Sequence, residues 1–173
     1  MGWRAVLIAA GALLLAVLAG CQLVEEEYSG DPDGPKVSVI GDSITVLAAD
    51  EIHGAMDDAY QTRIAARTGY TWRRMLDDAE EHAATDPEVA VVNLGTNDVS
   101  TSEPIPRPEL FADVERLLGV YEEDTCLVLV TVYDDAVKDD YDNEKATLLN
   151  ARMKAWADVV VDWDAAVSED PTR

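Results

Sequence analysis

Ser43 lies in Val39-Ile40-Gly41-Asp42-Ser43-Ile44-Thr45, where a short β-branched run gives way to helical periodicity. A hydroxyl on such a strand-to-helix turn is exposed and faces the backbone N–H groups of a helix start, which favour developing negative charge. The placement suits a nucleophile, and it equally suits an ordinary helix cap, because serine is a favoured N-cap residue. Asn97 follows a second apolar run, in Val92-Asn93-Leu94-Gly95-Thr96-Asn97-Asp98. Its side-chain amide can donate to an oxyanion at a carbon that Ser43 attacks, or it can close a local turn. Gly69, in Ala66-Arg67-Thr68-Gly69-Tyr70, lies between an expected strand and an expected helix, where a plain turn glycine is the ordinary reading. Together, a serine hydroxyl and a side-chain amide donor are parts of acyl transfer through a covalent intermediate. Such a serine also needs a base. The two histidines, His53 and His82, both fall in helical stretches, and His53 is roughly 15 Å from Ser43 along one helix, too far to take its proton. Surface or helix-packing roles suit both.

The elements that must position these residues follow from hydrophobic periodicity. From Lys36 onward short β-branched runs alternate with longer helical stretches, the pattern of βαβ units and a parallel sheet. Strands are expected at 36–40, 60–66, 89–94, 127–132 and 159–161. Helices are expected at 43–58, 71–84, 106–123 and 143–158. The run Val89–Leu94 is continuously apolar, as in a strand covered on both faces. These elements make a doubly wound, flavodoxin-like α/β fold, three layers deep, with a parallel sheet of about five strands. Chemistry in such a sheet gathers at the carboxyl ends of the strands, which is where Ser43 and Asn97 fall. With 48% hydrophobic residues, 173 residues suffice for one core and one domain.

Gly41-Asp42-Ser43 near the start of the domain and Gly95-Thr96-Asn97-Asp98 after the third strand together resemble the SGNH, or GDSL, hydrolase family. The resemblance covers the chain from Lys36 onward. It implies Ser43 as nucleophile, and an oxyanion hole made from the Ser43 N–H, the Gly69 N–H and the Asn97 side chain. It further implies a late Asp-x-x-His carrying the base, and here the sequence departs from the family pattern. No histidine follows the last strand, and Asp170 comes too early for the triad aspartate. The expectation is a domain over 36–173 that lacks its C-terminal Asp-x-x-His segment.

The N-terminus carries an address. Arg4 precedes the apolar stretch Ala5 to Ala19, about 15 residues long and short of the ~20 needed to span a bilayer. Leu18-Ala19-Gly20-Cys21 resembles the lipobox of bacterial lipoproteins, which implies a signal peptide over 1–20 and a lipid on Cys21; an ordinary secretory signal followed by a chance cysteine is the alternative. Residues 21–35 are rich in Gly, Pro and Glu and are expected to be a flexible tether. Cys126, which opens an apolar run, is expected to be a buried inert thiol.

A net charge of −22 sets a negative field around the molecule and argues against nucleic acid as a partner. The acidic residues are spread along the chain, as on a solvated surface, and no His, Cys and carboxylate cluster at ligand spacing supports a metal or other cofactor. Neither G-x-G-x-x-G nor G-x-x-x-x-G-K-[ST] occurs, which disfavours a nucleotide-binding module. The expected protein is thus an exported, lipid-anchored serine esterase. Its expected partners are a small-molecule or glycan ester, on carbohydrate, cell wall or lipid, and the membrane on the extracytoplasmic side. The alternative is a non-catalytic surface lipoprotein that keeps the fold and binds a glycan or partner.

Overall fold

The structure is a computed structural model, which describes residues 23–100, 105–136 and 140–169. Cys21 and the apolar segment before it lie outside the described residues, as does Asp170. Among the described residues twelve elements follow one another in the order β1 (Leu23–Glu25), β2 (Ser29–Gly30), β3 (Lys36–Gly41), α1 (Ser43–Met56), β4 (Gln61–Arg67), α2 (Leu76–Ala83), β5 (Val89–Asn93), α3 (Arg107–Leu118), β6 (Cys126–Val130), α4 (Asn143–Trp156), β7 (Val159–Val161) and α5 (Trp163–Glu169).

The sheet runs β1-β4-β3-β5-β6-β7, and the five strands from β3 to β7 are mutually parallel, as the periodicity predicts. The chain goes from β3 outward to β4 and then returns to the other side of β3 as β5. Loops leaving β3 and β5 therefore diverge to opposite faces and leave a crevice between them. Alternate side chains of the strands serve different layers. Val37, Val39, Ile64 and Ala66 pack with Ala49 of α1. On the opposite face Ile40, Ala65, Val92 and Leu129 join residues of α2, α3 and α4, including Ala79, Val114 and Leu149. Helices thus cover both faces of the sheet, as expected of continuously apolar strands.

Two features differ from the sequence expectation. The stretch read as a tether enters the sheet: β1 pairs antiparallel with β4 through Leu23↔Arg67 to Glu25↔Ala65, and β2 pairs with its other end. Backbone pairing, the packing of Val24 against the α1-side core, and ion pairs from Arg67 to Glu25 and from His53 to Glu26 outweigh the breaker-rich composition. Cys126 is half-buried rather than buried, because it lies at the entry of β6.

Gly95 turns the chain out of β5. Its φ of +123° is open only to glycine, and a Cβ there would lie 2.8 Å from Leu149 Cδ2 and 2.9 Å from Val132 Cγ1. Gly95→Ala is therefore expected to destabilise the protein by about 1–3 kcal/mol through strain and overpacking together, read as a lower urea midpoint at unchanged slope.

Candidate active site

Asp42 begins the site, and its geometry follows from being the one residue between a buried strand and a helix. Its backbone is extended, its N–H donates to the Asn93 carbonyl at 3.2 Å, and its Oδ1 accepts the Ile44 N–H at 3.0 Å. It is therefore Asp42, not Ser43, that caps α1, which removes the capping explanation for the serine. Ser43 is the first helical residue, half-buried, at the carboxyl end of β3.

Asn97 arrives from the loop after β5. Its Nδ2 donates to the Tyr70 carbonyl at 2.9 Å and, at 3.4 Å, to Asp42 Oδ2. One amide thus touches both the turn that carries Ser43 and the loop that carries Gly69. Gly69 has φ +77° in a turn closed by the Tyr70 N–H on the Arg67 carbonyl, at 3.2 Å. A Cβ on Gly69 would meet nothing within 4 Å, so the demand for glycine is the left-handed backbone rather than crowding within the protein. Behind this turn Arg67 holds Asp78 of α2 with two hydrogen bonds, at 2.6 and 3.0 Å, and so fixes the root of the loop. Ser43, Gly69 and Asn97 therefore converge from the ends of β3, β4 and β5.

The histidines stand elsewhere. His53 sits between Glu26, Ser29 and Asp57, where it joins the β1–β2 segment to α1. His82 is buried against Ser38 Oγ at 2.9 Å on the α2 side of the sheet, and burial pushes its imidazole down to about 4, so it stays neutral. Both are structural, as their helical positions predict.

Beside the Ser43 turn lies a cavity of about 400 Å³, bordered by Ile44, Thr96, Asn97, Tyr133, Tyr141 and Trp163 among others. Its walls are residues that follow β3, β5, β6 and β7, joined by hydrogen bonds in which backbone groups take part. The Asp142 N–H donates to the Val99 carbonyl at 2.9 Å, the Tyr141 hydroxyl to the Tyr133 carbonyl at 2.5 Å, and the Asp134 N–H to Asp164 Oδ1 at 3.0 Å. Sequence reasoning left Tyr133, Tyr141 and Trp163 unassigned, since aromatic residues in polar loops carry no spacing signal. It also left Asp42 and Asp98 without roles, although both flank the residues it chose. Both carboxyls are fully buried, and desolvation pushes Asp42 up to about 6 and Asp98 up to about 7.

A doubly wound sheet whose crevice at the switch point gathers a serine, a glycine turn and an asparagine amide is an SGNH-type α/β architecture. The chain belongs to the GDSL-like Lipase/Acylhydrolase family, whose sequence profile matches residues 39–173. Among solved structures it is similar to the lipase/acylhydrolase from Enterococcus faecalis, with a TM-score of 0.63 and 18% identity over 79% of this chain and 80% of that one. It is likewise similar to the C-terminal catalytic domain of Streptococcus pneumoniae peptidoglycan O-acetyltransferase A, solved with a methylsulfonyl adduct. That likeness has a TM-score of 0.60 and 20% identity over 80% and 74% of the two chains. The acetyl xylan esterase AlAXEase gives a TM-score of 0.56 and 17% identity over 79% and 83%. At these identities the likeness is one of fold. No curated protein matches the sequence.

The Asp42 carboxyl has an ordinary value of 3.8 and a folded one of about 6, so between those values the native chain holds a proton that the unfolded chain has released. Its contribution to stability is therefore greatest in acid and is lost as pH rises through that window. Asp42→Asn keeps the helix cap without the charge. On going from about pH 4 to pH 8 the variant should gain about 1–3 kcal/mol relative to the parent, measured by urea denaturation at both pH values.

Proposed function

We propose that this chain is an acyl-ester hydrolase in which Ser43 is the nucleophile. The Ser43 N–H, the Gly69 N–H and the Asn97 side chain are its oxyanion donors. The observation that carries this reading is Asn97 Nδ2, which lies against both the Asp42–Ser43 turn and the Gly69–Tyr70 loop; the N–H that reaches Asp42 Oδ2 only at 3.4 Å is the one that would turn to the oxyanion. In the reaction the Ser43 oxygen bonds to the ester carbonyl carbon and its proton passes to a base. The carbonyl oxygen becomes an oxyanion facing the three N–H donors. Collapse of that intermediate expels the alcohol, and water then releases the acid from the acyl-serine. Asp42, as the cap of α1, leaves the Ser43 hydroxyl free for this role. The aromatic cavity next to the serine is suited to an acyl or acetyl ester on carbohydrate, cell wall or lipid. The likeness to an acetyl xylan esterase and to a peptidoglycan O-acetyltransferase is in keeping with esters of glycans.

A second reading is favoured by the placement of the histidines. Both are engaged away from Ser43, so neither supplies the base. Under that reading the cleft holds a glycan ester or a partner without cleaving it. A fluorophosphonate probe separates the two. The hydrolase reading expects covalent labelling on Ser43, abolished in Ser43→Ala. A folded protein that binds an acetylated glycan, leaves it intact and takes no label would establish the second.

Lipid anchoring on Cys21, with the domain on the extracytoplasmic side, belongs to the same proposal and is supported by the Leu18-Ala19-Gly20-Cys21 sequence after an apolar stretch. Cys21→Ser is expected to move the protein from the membrane fraction to the soluble one. Retention in the membrane fraction would count against the anchor.

A further inference from the structure

The acyl chemistry uses Asn97 but has no use for its neighbour Asp98, whose side chain is fully buried. A carboxylate out of water must be satisfied by hydrogen-bond donors. Both oxygens of Asp98 lie 3.3 Å from the backbone nitrogen of Trp72, an N–H in the interior that precedes α2. Asn97, one residue earlier, donates to the Tyr70 carbonyl at 2.9 Å. Two consecutive residues after β5 therefore grip the loop between β4 and α2 at two points, one a carbonyl and one an N–H. Gly69 immediately precedes the gripped segment.

We propose that Asp98 is a positioning residue that clamps the loop from Gly69 to Trp72 against Asn97, so fixing the spacing between two of the three oxyanion donors. The inference rests on the roles of Gly69 and Asn97 given above, while the clamp itself is independent of them. The groups around Asp98 suit a carboxyl held by N–H donors rather than by a cation. Lys145 of α4 reaches only the Asp98 backbone carbonyl, at 3.3 Å. Asp113 of α3 is itself paired with Arg73 at 3.0 Å, and Asp42 adds negative charge from the end of β3. Burial pushes the Asp98 carboxyl up to about 7, so the clamp carries a titratable signature near neutral pH.

Amide hydrogen exchange and Ser43 labelling test the clamp together. In Asp98→Ala, exchange at Gly69, Tyr70 and Trp72 should rise about tenfold or more while β5 and β6 are unchanged, and fluorophosphonate labelling of Ser43 should slow about tenfold. Asp98→Asn keeps an acceptor for the Trp72 N–H and should hold both readouts within about fivefold of the parent. In the parent protein the amide shift of Trp72 should titrate near pH 7, a measurement that stands even if Asp98→Ala does not fold. Trp72 amide exchange in the parent as fast as in an unprotected amide, or unchanged Trp72 exchange in folded Asp98→Ala, would overturn the clamp. Loosened exchange with undiminished labelling would overturn the positioning role and leave a structural one. A parent protein that takes no label overturns the hydrolase reading instead, and the exchange results then decide the clamp alone.

Discussion

A carboxyl group withdrawn from water must find N–H donors, and at the carboxyl end of this sheet two such groups draw separate loops together. Asp42 takes the Ile44 N–H and is approached by the Asn97 amide, while Asp98 takes the Trp72 N–H. Each is desolvated, and neither is matched by a buried cation among the described residues that the hydrogen bonds place on its oxygens. The loops after β3, β4 and β5 are therefore held by hydrogen bonds to backbone and amide groups, which are directional. The cost of desolvation is offset by burial of the parallel sheet beneath, whose side chains fill both faces.

Direction matters to the proposed oxyanion hole, in which three N–H groups would address one oxygen atom. A turn that displaced the Gly69 segment by an ångström would leave Asn97 and the Ser43 backbone aimed at different points. Arg67 secures the root of that segment on Asp78, and the Tyr70 carbonyl and Trp72 N–H secure its far side.

The parallel sheet was legible from periodicity, since strands buried on both faces read as continuous apolar runs and their order follows from the doubly wound pattern. Ser43 and Asn97 were legible because each directly follows such a run. Gly69 was legible only by position, and its left-handed φ supplies the physical reason that the bare sequence lacks. Asp42 and Asp98 were invisible as a pair, because burial of an aspartate depends on donors from segments 26 and 55 residues away in sequence, and no local pattern encodes them. The β1–β2 segment misled for the opposite reason. Its composition describes a solvated chain, yet a free edge of β4 offers backbone partners that composition does not register.

If Cys21 carries a lipid, as proposed, that edge pairing alters the geometry of attachment. A tether running from Cys21 to Lys36 would have a contour of about 50 Å, enough for the domain to roam well above a bilayer. With Leu23 already in register opposite Arg67, the slack between a lipid on Cys21 and the folded body would be at most about 7 Å. An anchored domain would then ride at the lipid surface with the β1 edge downward, and its reach would be set by the diffusion of its lipid in the plane instead of by the length of a leash.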